Sequence, residues 1–217
     1  MDAEYTKYVA FILEAATEKV FYLNLLKYFC DKHINAELVR MNEDGEIFYL
    51  VKQQSRKILI KIYSVGTITQ ITNSGTWFTN RCQKKHKGDW TIFLCYDTDN
   101  YQADISKFYE GDWRLLRKEL EHSGKNKVID LAANADIEDI MLLDSEGVYR
   151  FLGLDPQPIP TGNKGKSKMK KIFRMKGSGS AYHEGERAKP LIEALDTEKI
   201  VNNSPIPFKE IEKAIFE

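Results

Sequence analysis

Long apolar runs are missing from this chain of 217 residues. The longest, at 9–13 and 92–96, fall far short of the roughly 20 residues that a bilayer span requires, so no helical membrane span is expected. A leader of basic then apolar residues is not expected either, because Met1-Asp2-Ala3-Glu4-Tyr5 is acidic. Cysteine is scarce. Cys30, Cys82 and Cys95 are odd in number and widely spaced, which argues against a disulfide framework or a zinc knuckle and for a cytoplasmic setting. Net charge is absent too, with 32 Lys and Arg balancing 32 Asp and Glu. What remains is 42% hydrophobic and 29% charged, the composition of an ordinary folded domain.

The zero sum hides an asymmetry. Between 155 and 176 there are seven basic residues, Lys164, Lys166, Lys168, Lys170, Lys171, Arg174 and Lys176, against the single acid Asp155. The remainder is therefore net acidic. An acidic body with one basic arm is suited to a polyanion, each cation acting as a salt-sensitive backbone contact; the same composition also describes a solvated linker.

Short β-favouring runs at 8–13, 36–41, 46–51, 57–63, 90–96 and 128–131 alternate with stretches of helical period from 17, at 68–85, 113–122 and 137–152. That alternation predicts an α/β domain over 1–153 with a central, mainly parallel sheet flanked by helices. Pro156, Pro158, Pro160, Gly162 and Gly165 then mark a linker. It opens a C-terminal appendage, 154–217, that is basic and helical, with helices expected at 186–195 and 208–216.

Two strand ends carry acids. Glu14 closes the first strand, and Asp97 and Asp99 follow the run at 90–96. Ligands of parallel α/β sheets bind beyond the carboxyl ends of strands. Residues two apart on an extended segment project to one side, so Asp97 and Asp99 are expected to address one site, joined by Glu14 if the two strands are neighbours. Crowded carboxylates must protonate or hold a cation, and hard oxygens suit Mg²⁺ or Mn²⁺. Glu18, four residues past Glu14, stands where a second ion would need a ligand. Each acid also has a plainer explanation: Asp-x-Asp as a turn former or cap, Glu18 as a partner of the helix dipole.

Phe11-Ile12-Leu13-Glu14-Ala15-Ala16-Thr17-Glu18 resembles the opening motif of Toprim domains, and Ile92-Phe93-Leu94-Cys95-Tyr96-Asp97-Thr98-Asp99 resembles their second motif. Ala15 stands where those domains usually carry glycine. The resemblance implies a Toprim-like sheet over about 8–135 that binds Mg²⁺, or Mn²⁺ in its place. Glu14 would be the general acid/base, Asp97 and Asp99 the main metal ligands and catalytic acids, and Glu18 an auxiliary ligand. Ala135-Asp136-Ile137-Glu138-Asp139 is similar to a segment of small defence-associated Toprim-like proteins, which would add Glu138 to the metal ligands. Tyr182-His183-Glu184-Gly185 is expected to form a loop over the site. His33, His86, His122 and His183 have neither zinc spacing nor an obvious nucleophile.

These features together predict a metal-dependent nuclease of antiphage defence, hydrolysing phosphodiesters in RNA, tRNA among them, or DNA, with room for a regulatory ATPase partner. Two alternatives stay open: a haloacid-dehalogenase-like phosphatase with Asp97 as nucleophile, and a non-catalytic nucleic-acid-binding or regulatory protein.

Overall fold

A computed structural model of the chain describes residues 5–43, 45–99, 101, 108, 110–122, 125–177 and 179–217. It is an α/β fold built on one six-stranded sheet, as the alternation of periods predicted. The strands are β1 (Lys7–Leu13), β2 (Ala36–Glu43), β3 (Glu46–Gln53), β4 (Arg56–Ser64), β5 (Trp90–Asp97) and β6 (Lys127–Ala133), in the spatial order β2-β3-β4-β1-β5-β6. β4, β1, β5 and β6 run parallel, and the short polar links put β2, β3 and β4 into an antiparallel meander at one side.

β1 and β5 lie at the centre and are apolar almost without interruption, because helices cover both faces of the sheet. Alternate residues point to opposite sides. Val9, Phe11, Leu13, Phe93 and Cys95 face one layer; Ala10, Ile12, Ile92 and Leu94 face the other. Phe11 and Phe93 stack across the β1–β5 pair with centroids 5.0 Å apart.

The first layer starts with α1 (Ala16–Lys32), which follows β1 at once and buries Phe21, Leu25, Leu26 and Phe29. The second layer includes α2 (Ile68–Ile71), α3 (Ser74–Phe78), a π-helical turn at Thr79–Gln83 and α4 (Gly111–Glu121), whose Leu116 and Leu120 pack beside Trp90 and Tyr96. The helix expected at 68–85 is thus three short pieces. Likewise 137–152 divides into α5 (Ile137–Met141), a 3₁₀ turn and α6 (Ser145–Leu152), because the buried Asp144 accepts the Gly147 amide and starts a new helix there.

Beyond the extended proline stretch come α7 (Gly165–Met175), α8 (Lys189–Ala194), α9 (Thr197–Asn203) and α10 (Lys209–Phe216). Met169, Ile172, Ile192, Ile211 and Ile215 of these helices, with Phe208 just before α10, join the core that holds β1 and α1. The basic segment is therefore an amphipathic helix with a buried apolar side.

β1 leads into a helix on one face of the sheet and its neighbour β5 leads toward α4 on the other. The chain thus diverges at the carboxyl ends of this pair, the place where open α/β sheets form a crevice.

Candidate functional site: a carboxylate cluster at the ends of β1 and β5

The parallel register sets Leu13 beside Cys95, so the residues that follow each strand leave the sheet side by side. The Asp97 amide donates to Oε2 of Glu14 at 3.3 Å. Glu18 lies in the first turn of α1, where its Oε2 accepts the Ala15 amide at 2.8 Å and serves an otherwise unpaired helix donor. One carboxylate oxygen from each of Glu14, Glu18 and Asp97 falls within 4.8 Å of the others.

Two oxygens of this trio are left over. Among the described residues, Oε1 of Glu18 and Oδ1 of Asp97 are buried and have no hydrogen-bond partner. Burial of unpaired acceptors is costly, and the charged forms are disfavoured accordingly. Burial, then the charges of Glu18, Glu14, Glu138 and Asp136, pushes the Asp97 carboxyl up from 3.8 to about 10. Burial, then Glu14, pushes Glu18 from 4.5 to about 7.

Glu138, 3% exposed at the start of α5, extends the negative field. Burial first, and Asp136 next, pushes it from 4.5 to about 7, against the opposing effect of Tyr182, whose hydroxyl donates to Oε1 of Glu138 at 2.8 Å. Asp136 is 2% exposed and caps two helices at once: its Oδ1 accepts the Asp139 amide of α5 and its Oδ2 accepts the Lys166 amide of α7. Sequence reasoning singled out neither Asp136 nor the link from Tyr182 to Glu138. An Asp immediately before a helical run is a recognisable cap signal; a phenol 44 residues downstream leaves none.

Asp99 corrects the expectation that both acids of Asp97-Thr98-Asp99 address one site. β5 ends at Asp97, and Asp99 takes a left-handed backbone with φ 60°. The two-residue periodicity of an extended segment no longer applies there. The carboxylate is half exposed and accepts Lys164 Nζ at 2.5 Å, outside the trio.

Five of the seven basic residues are engaged within the molecule. Lys164 is held by Asp99, Lys166 and Lys170 reach Glu184 at 2.6 and 3.9 Å, Lys168 reaches Asp139 at 2.8 Å, and Lys171 donates to the Thr161 carbonyl at 2.6 Å. Arg174 and Lys176 are exposed near the end of α7. The Gly165 amide donates to Asp139 Oδ2 at 2.6 Å, so the start of α7 is seated on the acids that open α5.

No protein-family model and no curated protein matches the sequence. Among solved structures, the chain is similar to a futalosine hydrolase mutant of Helicobacter pylori at 8% identity, over 98% of this chain and 99% of that one, with a TM-score of 0.31. It is similar to the Campylobacter jejuni 5'-methylthioadenosine/S-adenosyl homocysteine nucleosidase at 12% identity, over 96% and 98%, with a TM-score of 0.29. For the Helicobacter pylori enzyme of that class the identity is 9%, over 96% of each chain, with a TM-score of 0.27. These proteins are nucleosidases and a futalosine hydrolase. The expectation of a metal-dependent nuclease of antiphage defence is corrected on that finding and set aside, with its nucleic-acid-binding and phosphatase alternatives. At such identities and TM-scores the likeness carries no activity over to this chain. Among the described residues no helix is long and apolar enough to cross a membrane.

Proposed function

We propose that the Glu14–Glu18–Asp97 cluster is a divalent-cation centre, for Mg²⁺ or Mn²⁺, and that the chain is a hydrolase whose substrate meets water at this centre. One observation supports the reading above the rest: two buried carboxylate oxygens, on Glu18 and Asp97, lack partners within a trio whose oxygens lie inside 4.8 Å. Hard oxygen donors of that kind suit these ions. The resemblance of the strand-end motifs to Toprim domains supports a cation in the same place without specifying a substrate.

A bound cation would supply Lewis acidity and lower the pKa of coordinated water. The remaining work falls to the side chains. Glu14 and Asp97, on adjacent strand ends, and Glu18, on the first turn of α1, supply the oxygens, while the Ala15 amide fixes the orientation of Glu18. Glu138, pushed to about 7 and steadied by Tyr182, holds or releases a proton near neutral pH, the property required of a general acid or base.

Thermal unfolding with increasing Mn²⁺ or Mg²⁺, together with hydrolysis assays on nucleosides, nucleotides and simple phosphate and carboxyl esters, tests this reading. Saturable stabilisation is expected, about 2.7 kcal/mol at a hundred times the dissociation constant, with Asp97→Asn abolishing both the stabilisation and the hydrolysis. A melting temperature indifferent to either ion would overturn the cation centre. Hydrolysis that persists in chelator and in Asp97→Asn would overturn the assignment of activity to it.

A further inference from the structure

A cavity of about 310 Å³ is lined by Gly45, Glu46, Ile47, Lys61, Ile62, Trp77 and Arg81 and shares no residue with the carboxylate cluster. Its floor is unusual. Lys61 interrupts the apolar run of β4 and its side chain is only 4% exposed. Lysine is almost never so deeply buried without pairing. Its ammonium carries three donors and, among the described residues, reaches one acceptor, Glu46 Oε1 at 2.7 Å.

Glu46 is shared, since its other oxygen accepts Lys85 Nζ at 2.5 Å. These two lysines thus flank one carboxylate, and their pull holds Glu46 below its ordinary value despite its burial, while Arg81, exposed on the π-helical turn, lines the same cavity. The lining carries Lys61 and Arg81 against the single acid Glu46, with Lys85 on the far oxygen of that acid, and this positive balance favours an anion. One wall is flat and apolar: the Trp77 indole stacks on Tyr63 at 4.8 Å and 9° between planes. The positive surroundings exclude a cation against that ring.

We propose that this cavity binds a phosphate monoester carried on a flat ring, with Lys61 and Arg81 taking the phosphate and Trp77 the ring. Arginine and lysine both suit phosphate, the former by paired donors. The volume lies at the lower edge of the roughly 300–1,000 Å³ typical of ligand pockets, which limits the occupant to a small molecule. The site stands independently of the cation centre.

The test is titration of the full chain with adenosine 5'-monophosphate in chelator, followed by tryptophan fluorescence and melting temperature, with adenosine and inorganic phosphate as further arms. Saturable binding of the monophosphate is expected, with competition by inorganic phosphate and no response to adenosine. Arg81→Ala, an exposed position, is expected to weaken affinity about tenfold, the loss of one charge-assisted bond, without changing the melting temperature of the ligand-free chain. Trp77→Leu is expected to remove the fluorescence response and Asp97→Asn to leave binding intact. Absence of saturation at millimolar ligand, equal affinity for adenosine, or unchanged affinity in Arg81→Ala would overturn the proposal. Loss of binding in Asp97→Asn would do the same by moving the ligand to the carboxylate cluster.

Discussion

The backbone amide of Asp97 donates to the side chain of Glu14, joining two residues 83 apart in sequence at the mouth of the central strand pair. That bond holds one acid against the strand end that carries the other, and the carboxylates crowd as a result.

Crowding has a pH signature. Glu18 and Glu138 are pushed from 4.5 to about 7, and Asp97 from 3.8 to about 10, each chiefly by burial. A carboxyl with a raised folded-state pKa keeps more protons folded than unfolded, so its stabilising contribution is complete below about pH 4 and is lost as pH rises through the folded value. In chelator, the melting temperature should fall between pH 5 and 8 as Glu18 and Glu138 ionise. Glu18→Gln should flatten that slope and stabilise the chain at pH 8 by roughly 3 kcal/mol, the equivalent of its shift. A steeper or unchanged slope in the variant would contradict the burial of this group.

Cation binding must compete with the same protons. Mn²⁺ affinity measured by calorimetry should rise with pH between 6 and 8, by up to about tenfold per unit for each proton displaced, with proton release detected as a buffer-dependent heat. Affinity independent of pH would mean that the raised carboxyls are not the ligands.

Asp99 should behave unlike its neighbour two residues back. Its half-exposed pair with Lys164 contributes little, so Asp99→Asn and Lys164→Met should each change stability by no more than about 1 kcal/mol. Asp99→Asn should leave Mn²⁺ affinity nearly unaltered while Asp97→Asn abolishes it. Equal losses from both would restore Asp99 to the cluster.

Gly165 is where α7 meets α5. A Cβ there would lie 2.1 Å from the Asp139 amide nitrogen and 2.5 Å from the Glu138 carbonyl carbon, and neither backbone atom can retreat cheaply. Gly165→Ala should cost about 1–3 kcal/mol and lower Mn²⁺ affinity by disturbing Asp136 and Glu138. Gly179→Ala, with open space around it but a φ of 112°, separates general backbone strain from this contact, since it should leave cation binding unchanged.

Much of this was legible in the chain because it depended on local period. Short apolar, β-favouring runs marked β1 and β5 as strands, and the acids at their ends were visible as punctuation. Glu18 was legible as a first-turn acid. Asp99 was not, since a left-handed residue after a strand is a decision of the backbone that composition does not announce. Asp136 and Tyr182 depended on contacts with α7 and with Glu138 that arise only when distant segments dock. The partners of the lysine-rich stretch were hidden for a related reason: counting charges registers the cations, whereas Asp99, Glu184 and Asp139, which engage four of them, are scattered over 86 positions.

The seat of α7 also sets an order of events. Asp136 offers one oxygen to the amide of Lys166, Glu138 is steadied by Tyr182, and the Gly185 amide donates to Thr17 beside Glu18 at 2.8 Å. A nascent chain emerging from the ribosome presents Glu14 and Glu18 first and holds all three clamps only after nearly 170 further residues. The acidic centre is consequently finished only once Lys166, Tyr182 and Gly185 have been made, and a polypeptide cut short before Gly165 carries its carboxylates without the braces that orient them.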